Sequence, residues 1–248
     1  AELDADRFIG VTLVSVGEVG EGLEIQRATL ERAESSPGMD ALVPHLRMYL
    51  GHCRRALGQP EAAWVSLDAA RETFERTSNM ASLIHVCAGL ADIAADRADV
   101  ERALRHAARG LELAAIGGLR DHDGWLACTI ARVHAVGGDV QSARAAAAEA
   151  IAGVARGWAG ETHRVAVELA WVAMTALGDA PTAARLVGLA RATPDQRELP
   201  FVTPGERERG AAVESFVAAS LPDAGRADLA VGAGSTLAEA AAALTAPW

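Results

Sequence analysis

The sequence contains no lysine, so all 23 of its Lys and Arg residues are arginines. A P-loop needs a lysine to reach the phosphates of a nucleotide. Schiff-base and pyridoxal chemistry need a lysine amine as well. The missing residue type therefore excludes these chemistries from this stretch of chain.

Aromatic residues are also scarce, at 4% of the sequence, while half of it is hydrophobic and rich in alanine and leucine. Alanine loses no rotamer entropy in a helix, so this composition predicts an all-α fold. The three cysteines, Cys53, Cys87 and Cys128, form no CxxC pair. They are expected to be reduced core residues.

Hydropathy and charge bear on the partners and the compartment of the chain. There is no run of about 18 apolar residues, and the opening AELDADRF is acidic rather than basic and apolar. We therefore expect a cytoplasmic protein without membrane contact. The formal net charge of −10 opposes binding to a phosphate backbone, so no direct contact with nucleic acid is predicted.

What the sequence does have is a period of 40 residues. Related segments begin at Leu57, Arg97, Gly137 and Leu177. When these repeats are aligned, each column holds the residues at one equivalent position, and one column has a small side chain in every repeat: Ala63, Ala103, Ala143 and Ala183. Such a period predicts stacked helical pairs. The turns between paired helices are predicted at Gly58-Gln59-Pro60, Ala98-Asp99, Gly138-Asp139 and Gly178-Asp179. A glycine there suits the end of the first helix (the A helix), and an aspartate can cap the second (the B helix).

The Gly-Asp turn followed by a small residue resembles the tetratricopeptide repeat, and Gly51, Gly58, Ala63 and Ala70 match its small positions. The resemblance implies an α-solenoid, a tetratricopeptide-like superhelix with helices longer than in the usual repeat. We place about five repeats in residues 1–192, a Pro-rich linker at 193–203 and a C-terminal helical capping module at 204–248. The units predicted are 3–35, 39–78, 79–118, 121–158 and 160–192.

Within the C-terminal module, two helix starts are predicted from capping residues. Thr203 precedes Pro204 and Glu206 in a capping-box arrangement, with a helix to about Ser220. Ser235 is expected to cap a final helix. The order AARLVGLARA, ERERGAAVESFVAASL and GSTLAEAAAAL resembles the C-terminus of actinobacterial regulators of LuxR-type, antibiotic-regulatory or cyclase-fused organisation.

That second resemblance implies that the chain is the C-terminal part of a longer protein. In such regulators an ATPase and a DNA-binding domain lie N-terminal to the repeats, which sense or scaffold. The sequence shows neither a G-x-S-x-G elbow nor a metal-ligand spacing, and Asp121-His122-Asp123 is interpreted as a helix start. We therefore predict no catalytic residue, metal or cofactor.

Function is expected on the concave face formed by the A helices, as a groove for a protein or small-molecule effector. When the pattern of the repeat family is applied to the A helices, these residues fall on the concave face and are the candidate binding residues: His45, Met48, His52, Arg55, His85, Asp92, Trp125, Arg132 and Glu168. One alternative is a free-standing repeat scaffold or a self-association module that uses the alanine-rich tail. Another is a hydrolase with an acidic pocket around Asp92 and Glu168.

Overall fold

The computed structural model describes residues 2–157, 159–194, 202–221 and 225–246. The chain is 83% helical, and 14 helices and no strands occur in these described ranges. The all-α prediction is confirmed. None of the described helices combines the length and the apolar character needed to cross a membrane.

The first ten helices form five consecutive pairs, and within each pair the two helices pack against each other. Each A helix also contacts the A helix of the next pair. A π-helical turn, Ala173–Leu177, continues the last A helix. The pairs are α1 (Glu2–Ser15) with α2 (Val19–Glu34), α3 (Val43–Ala56) with α4 (Pro60–Thr77), α5 (Met80–Asp96) with α6 (Val100–Gly117), α7 (Asp123–Val136) with α8 (Val140–Arg156), and α9 (Thr162–Val172) with α10 (Ala180–Ala192).

The turns between paired helices have the predicted chemistry. Gly58, Gly138 and Gly178 adopt positive φ angles of 69°, 76° and 62°, as a left-handed helix end requires. In the turns of the last three pairs, Asp99, Asp139 and Asp179 accept a hydrogen bond from the backbone N–H three residues later, as predicted. Gln59, which follows Gly58, makes no side-chain cap. Ala98 has a φ of 57° in the equivalent turn, although it carries a Cβ.

The small column of the repeat lies where helices touch. Ala63, Ala103, Ala143 and Ala183 are all fully buried, which confirms the prediction that close helix contact keeps these positions small. The three cysteines are free and buried, also as predicted. Larger side chains such as Phe74 fill the remaining core.

The C-terminal module follows the fifth pair and packs against it. It comprises α11 (Pro204–Ser220), α12 (Gly225–Ala233), α13 (Leu237–Ala240) and α14 (Ala242–Thr245). Helix α11 contacts α9 and α10, and α14 contacts α8. Helices α10 and α12 approach closely because Gly188 and Gly232 have no Cβ, which at either position would overlap the facing backbone.

The two predicted caps in this module had different outcomes. The capping box of Thr203 and Glu206 is present and starts α11. The prediction for Ser235 is wrong by one residue, because Thr236 caps α13 and forms a second capping box with Glu239. The expected single final helix is divided into α13 and α14. Most of the predicted linker, residues 195–201, lies outside the described residues.

Candidate functional site

The structure brings together most of the predicted binding residues on the face shared by α3, α5, α7 and α9. Eight of them are at most 8% exposed, and all of these except Met48 are polar or can form a hydrogen bond: His52, Arg55, His85, Asp92, Trp125, Arg132 and Glu168. The repeat pattern predicts these side chains along an open groove. In the structure they form a buried group that we call the polar cluster.

The carboxylate of Asp92, on α5, lies at the centre of the polar cluster. The side chains of five residues donate hydrogen bonds to it: Arg55 (2.7 Å), Thr129 (2.8 Å), Trp125 (2.9 Å), Arg164 (2.9 Å) and Arg132 (3.1 Å). These donors lie on α3, α7 and α9. One buried carboxylate therefore joins four helices from four successive pairs.

The charges in the polar cluster are fixed by their surroundings. Burial raises the pKa of Asp92, but the charges of Arg55, Arg164 and Arg132 outweigh burial and hold the pKa well below its usual range. Burial lowers the pKa of Arg164, and Glu206 and then Asp92 raise it by more. Asp92 therefore stays ionised at any physiological pH. Its two oxygens accept hydrogen bonds from five side chains.

Helix α11 completes the polar cluster from the C-terminal module. Glu206 accepts from Arg164 at 2.8 Å. Arg209 donates to Glu168 at 2.7 Å and to Asp96 at 2.9 Å. The first turns of α11 thus cover the face on which the sequence analysis expected a partner. Both carboxylates of the hydrolase alternative are ion-paired in this arrangement.

The residues that take part in the polar cluster but were not predicted from the sequence include Thr129, Arg164, Glu206 and Arg209. For Arg164 a signal existed, because the residues one and two periods earlier, Gly124 and Ile84, are apolar or small. An arginine in a buried column needs a carboxylate partner. Glu206 and Arg209 belong to the module outside the repeat, where the period gives no information.

A cleft of about 700 Å³ remains open beside the polar cluster, at the N-terminal ends of α3, α5 and α7. Helix α1 forms another of its walls. Its lining includes Arg7, His45, Met48, Tyr49, His85 and His122. Three predicted binding residues, His45, Met48 and His85, therefore line a cavity. No residue of α11 lines it.

Ring contacts connect the cleft to the polar cluster. The imidazoles of His85 and His122 are 4.0 Å apart between centroids, and that of His122 lies 6.0 Å from the Trp125 ring. Trp125 also lies under the guanidinium of Arg164, 3.8 Å from the ring centroid. A molecule in the cleft would thus touch side chains that pack directly against the donors of Asp92.

The segment Asp121-His122-Asp123 starts a helix, as interpreted from the sequence, but it does so without a side-chain cap. Helix α7 begins at Asp123, and neither His122 before it nor any side chain there makes a cap hydrogen bond. Asp123 is buried and accepts from Arg120 at 3.2 Å. His122 is 7% exposed and lies 3.5 Å from Glu161.

A second cavity of about 610 Å³ lies on the opposite side of the polar cluster, at the start of α11. Its lining includes Arg97, Arg132, Trp171, Pro204 and Arg209. Residues of α11 form one wall, so the position of the C-terminal module determines its shape.

Within the part of the chain that the structure describes, no three His, Cys, Asp or Glu side chains are grouped so that they could hold a metal ion. Burial raises the pKa of the Cys53 and Cys87 thiols to about 12, so neither is a thiolate nucleophile at neutral pH. Comparison with known proteins matches the chain to no family model and to no curated protein.

Proposed function

We propose that the chain is a non-enzymatic, tetratricopeptide-like α-solenoid domain that binds a small-molecule effector in the cleft. The five helical pairs, their shared turn chemistry and the contacts between successive A helices support the solenoid arrangement. The single observation that carries the binding proposal is the contrast between the two parts of the A-helix face. One part is filled by the chain's own α11, and the other is an open cleft.

The shape and lining of the cleft favour a small molecule. A cavity of about 700 Å³ is within the usual range of small-molecule sites, roughly 300–1,000 Å³. Apolar side chains such as Met48 and Ile84 alternate with polar ones such as His45 and His85. This mixture is typical of sites in which a few polar groups orient an apolar ligand.

We propose that the polar cluster transmits occupancy of the cleft to the C-terminal module. A ligand in the cleft would contact His85 and His122, and the His122 ring packs against Trp125. Trp125 donates a hydrogen bond to Asp92 and stacks under the guanidinium of Arg164. Arg164 in turn holds Glu206 at the start of α11. A ligand that favours one packing of these rings would thereby favour one position of α11.

The sequence resemblance extends this proposal to a larger protein. The chain would then be the C-terminal part of a bacterial ATPase-linked transcriptional regulator, cytoplasmic, with its ATPase and DNA-binding domains upstream in the same chain. Reading the coding sequence upstream of Ala1 tests this part. An ATPase with its own P-loop lysine supports it, whereas a start codon immediately before Ala1 leaves a free-standing scaffold.

The binding proposal is tested with a variant that fills the cleft. Ala81 lines the cleft and is exposed, so Ala81→Trp should block it without disturbing the core. Ala108→Trp, at an exposed position of α6, is the matched control. Ligand-observed NMR with a library of anionic, neutral and cationic fragments should find molecules that bind the parent and Ala108→Trp but not Ala81→Trp. If Ala81→Trp binds every fragment that the parent binds, the cleft is not the site.

A further inference from the structure

Arg7 differs from the other arginines whose side chains the structure describes. Each of those others donates a hydrogen bond or forms an ion pair, whereas the guanidinium of Arg7 does neither. Its Nε is buried without a hydrogen-bond partner. The guanidinium lies 4.1 Å from the centroid of the Phe8 ring and 5.7 Å from that of the Tyr49 ring.

Arg7 is half-buried, and a buried N–H without a partner, such as its Nε–H, is unusual because it costs free energy. The chain carries 33 acidic residues, so candidate partners are plentiful. In the described ranges, none of them pairs with Arg7, which lines the cleft. An arginine that faces a cavity with unused donors is suited to bind an anion from outside the protein.

The other polar groups of the cleft limit the charge of that anion. His45 faces Arg7, and burial and then the charge of Arg7 hold its pKa below the ordinary value. A neutral imidazole supplies a hydrogen bond but no second positive charge. Asp4 and Asp121 line the cleft as well, together with His85 and His122. Two nearby carboxylates disfavour a dianion such as a phosphate monoester.

The remaining lining determines the body of the ligand. Met39, Leu42, Met48, Ile84 and Leu119 present apolar surface to the cavity. A guanidinium binds a carboxylate through two parallel hydrogen bonds, and a hydrocarbon or aromatic body buries the apolar wall. We propose that the cleft binds the carboxylate of a small, apolar organic monoacid, with Arg7 as the anion-binding residue.

This inference rests on the proposed function, and the test separates the two. Isothermal titration of the parent chain would compare octanoate and phenylacetate with octanamide and phenylacetamide, which have the same shape and no charge. We expect the affinity of at least one acid to exceed that of its amide by a factor of about ten or more. This comparison needs no variant, so it remains decisive if a substitution at Arg7 unfolds the chain.

Variants then assign the effect to Arg7. Arg7→Gln should lose about tenfold in affinity for the acid and nothing for the amide, and Arg7→Lys should recover part of the loss. Arg76→Gln, at an exposed arginine near the end of α4, should bind as the parent does. Equal affinity for acid and amide, or unchanged binding by Arg7→Gln, overturns the inference. If neutral molecules bind the parent and are lost in Ala81→Trp, the cleft remains a binding site. If nothing binds the cleft, both proposals fail.

Discussion

Replacing Asp92 by asparagine should destabilise the fold strongly, because this change leaves three buried arginines without their shared counter-charge. The side chain of Asp92 is 6% exposed, and its pairs with Arg55 and Arg164 are 2.7 and 2.9 Å long. Removing one member of a buried pair costs about 3–5 kcal/mol. The new amide N–H₂ would also face donors where an acceptor is required.

The assay is urea unfolding followed by circular dichroism at pH 7.5. Asp92→Asn should lower the free energy of unfolding by about 3–5 kcal/mol, whereas Glu101→Gln, whose pair with Arg105 is exposed, should stay within about 0.5 kcal/mol of the parent. In a double-mutant cycle with Arg55→Gln, the coupling should be about 1–3 kcal/mol. A loss below about 1 kcal/mol, or additive single changes, would refute this account of the polar cluster.

Further predictions concern pH, the C-terminal module and the repeat. Burial and then Arg55 hold the pKa of His52 well below its ordinary value, so only the unfolded chain takes up this proton near pH 6.5. Stability should therefore fall as the pH drops from 7.5 to 5.5, by up to about 1.4 kcal/mol per pH unit for this group, and His52→Gln should reduce that slope in urea titrations. Arg209→Ala removes the pair with Glu168 and should speed the tryptic removal of α11 from the folded chain. Ala143→Leu should cost about 1–3 kcal/mol in thermal unfolding by overpacking, unlike Gln141→Leu at an exposed position. Ala98→Gly should stabilise the chain by about 1 kcal/mol, measured by urea unfolding, because it relieves the positive φ.

The features that the sequence predicted well are local ones. A glycine at φ 76° followed by an aspartate cap, as at Gly138 and Asp139, needs only its immediate neighbours to be recognised. The same holds for the capping box at Thr203. The missed cap at Thr236 also has a local cause, since Ser235 and Thr236 are both good caps and only Thr236 has a glutamate three residues later.

The polar cluster could not be predicted in the same way, because its partners are distant in sequence. Arg164 is 72 residues from Asp92, and Arg209 is 113 residues from Asp96. The 40-residue period does place His52, Asp92 and Arg132 in one column. It does not reveal that α11 folds back over that column. For example, the sequence predicts Trp125 as a binding residue in an open groove. In the structure its side chain is 4% exposed and donates a hydrogen bond to Asp92.

Hydrogen exchange of the chain, with and without a saturating ligand that Ala81→Trp excludes, tests most directly whether the polar cluster connects the cleft to α11. Exchange should slow at the ends of α3, α5 and α7 that line the cleft. It should also change in α11, which does not line the cleft and is joined to it through Trp125, Asp92 and Arg164. Unaltered exchange throughout residues 204–220, with protection confined to the cleft, would contradict the claim that this domain senses its ligand through the polar cluster.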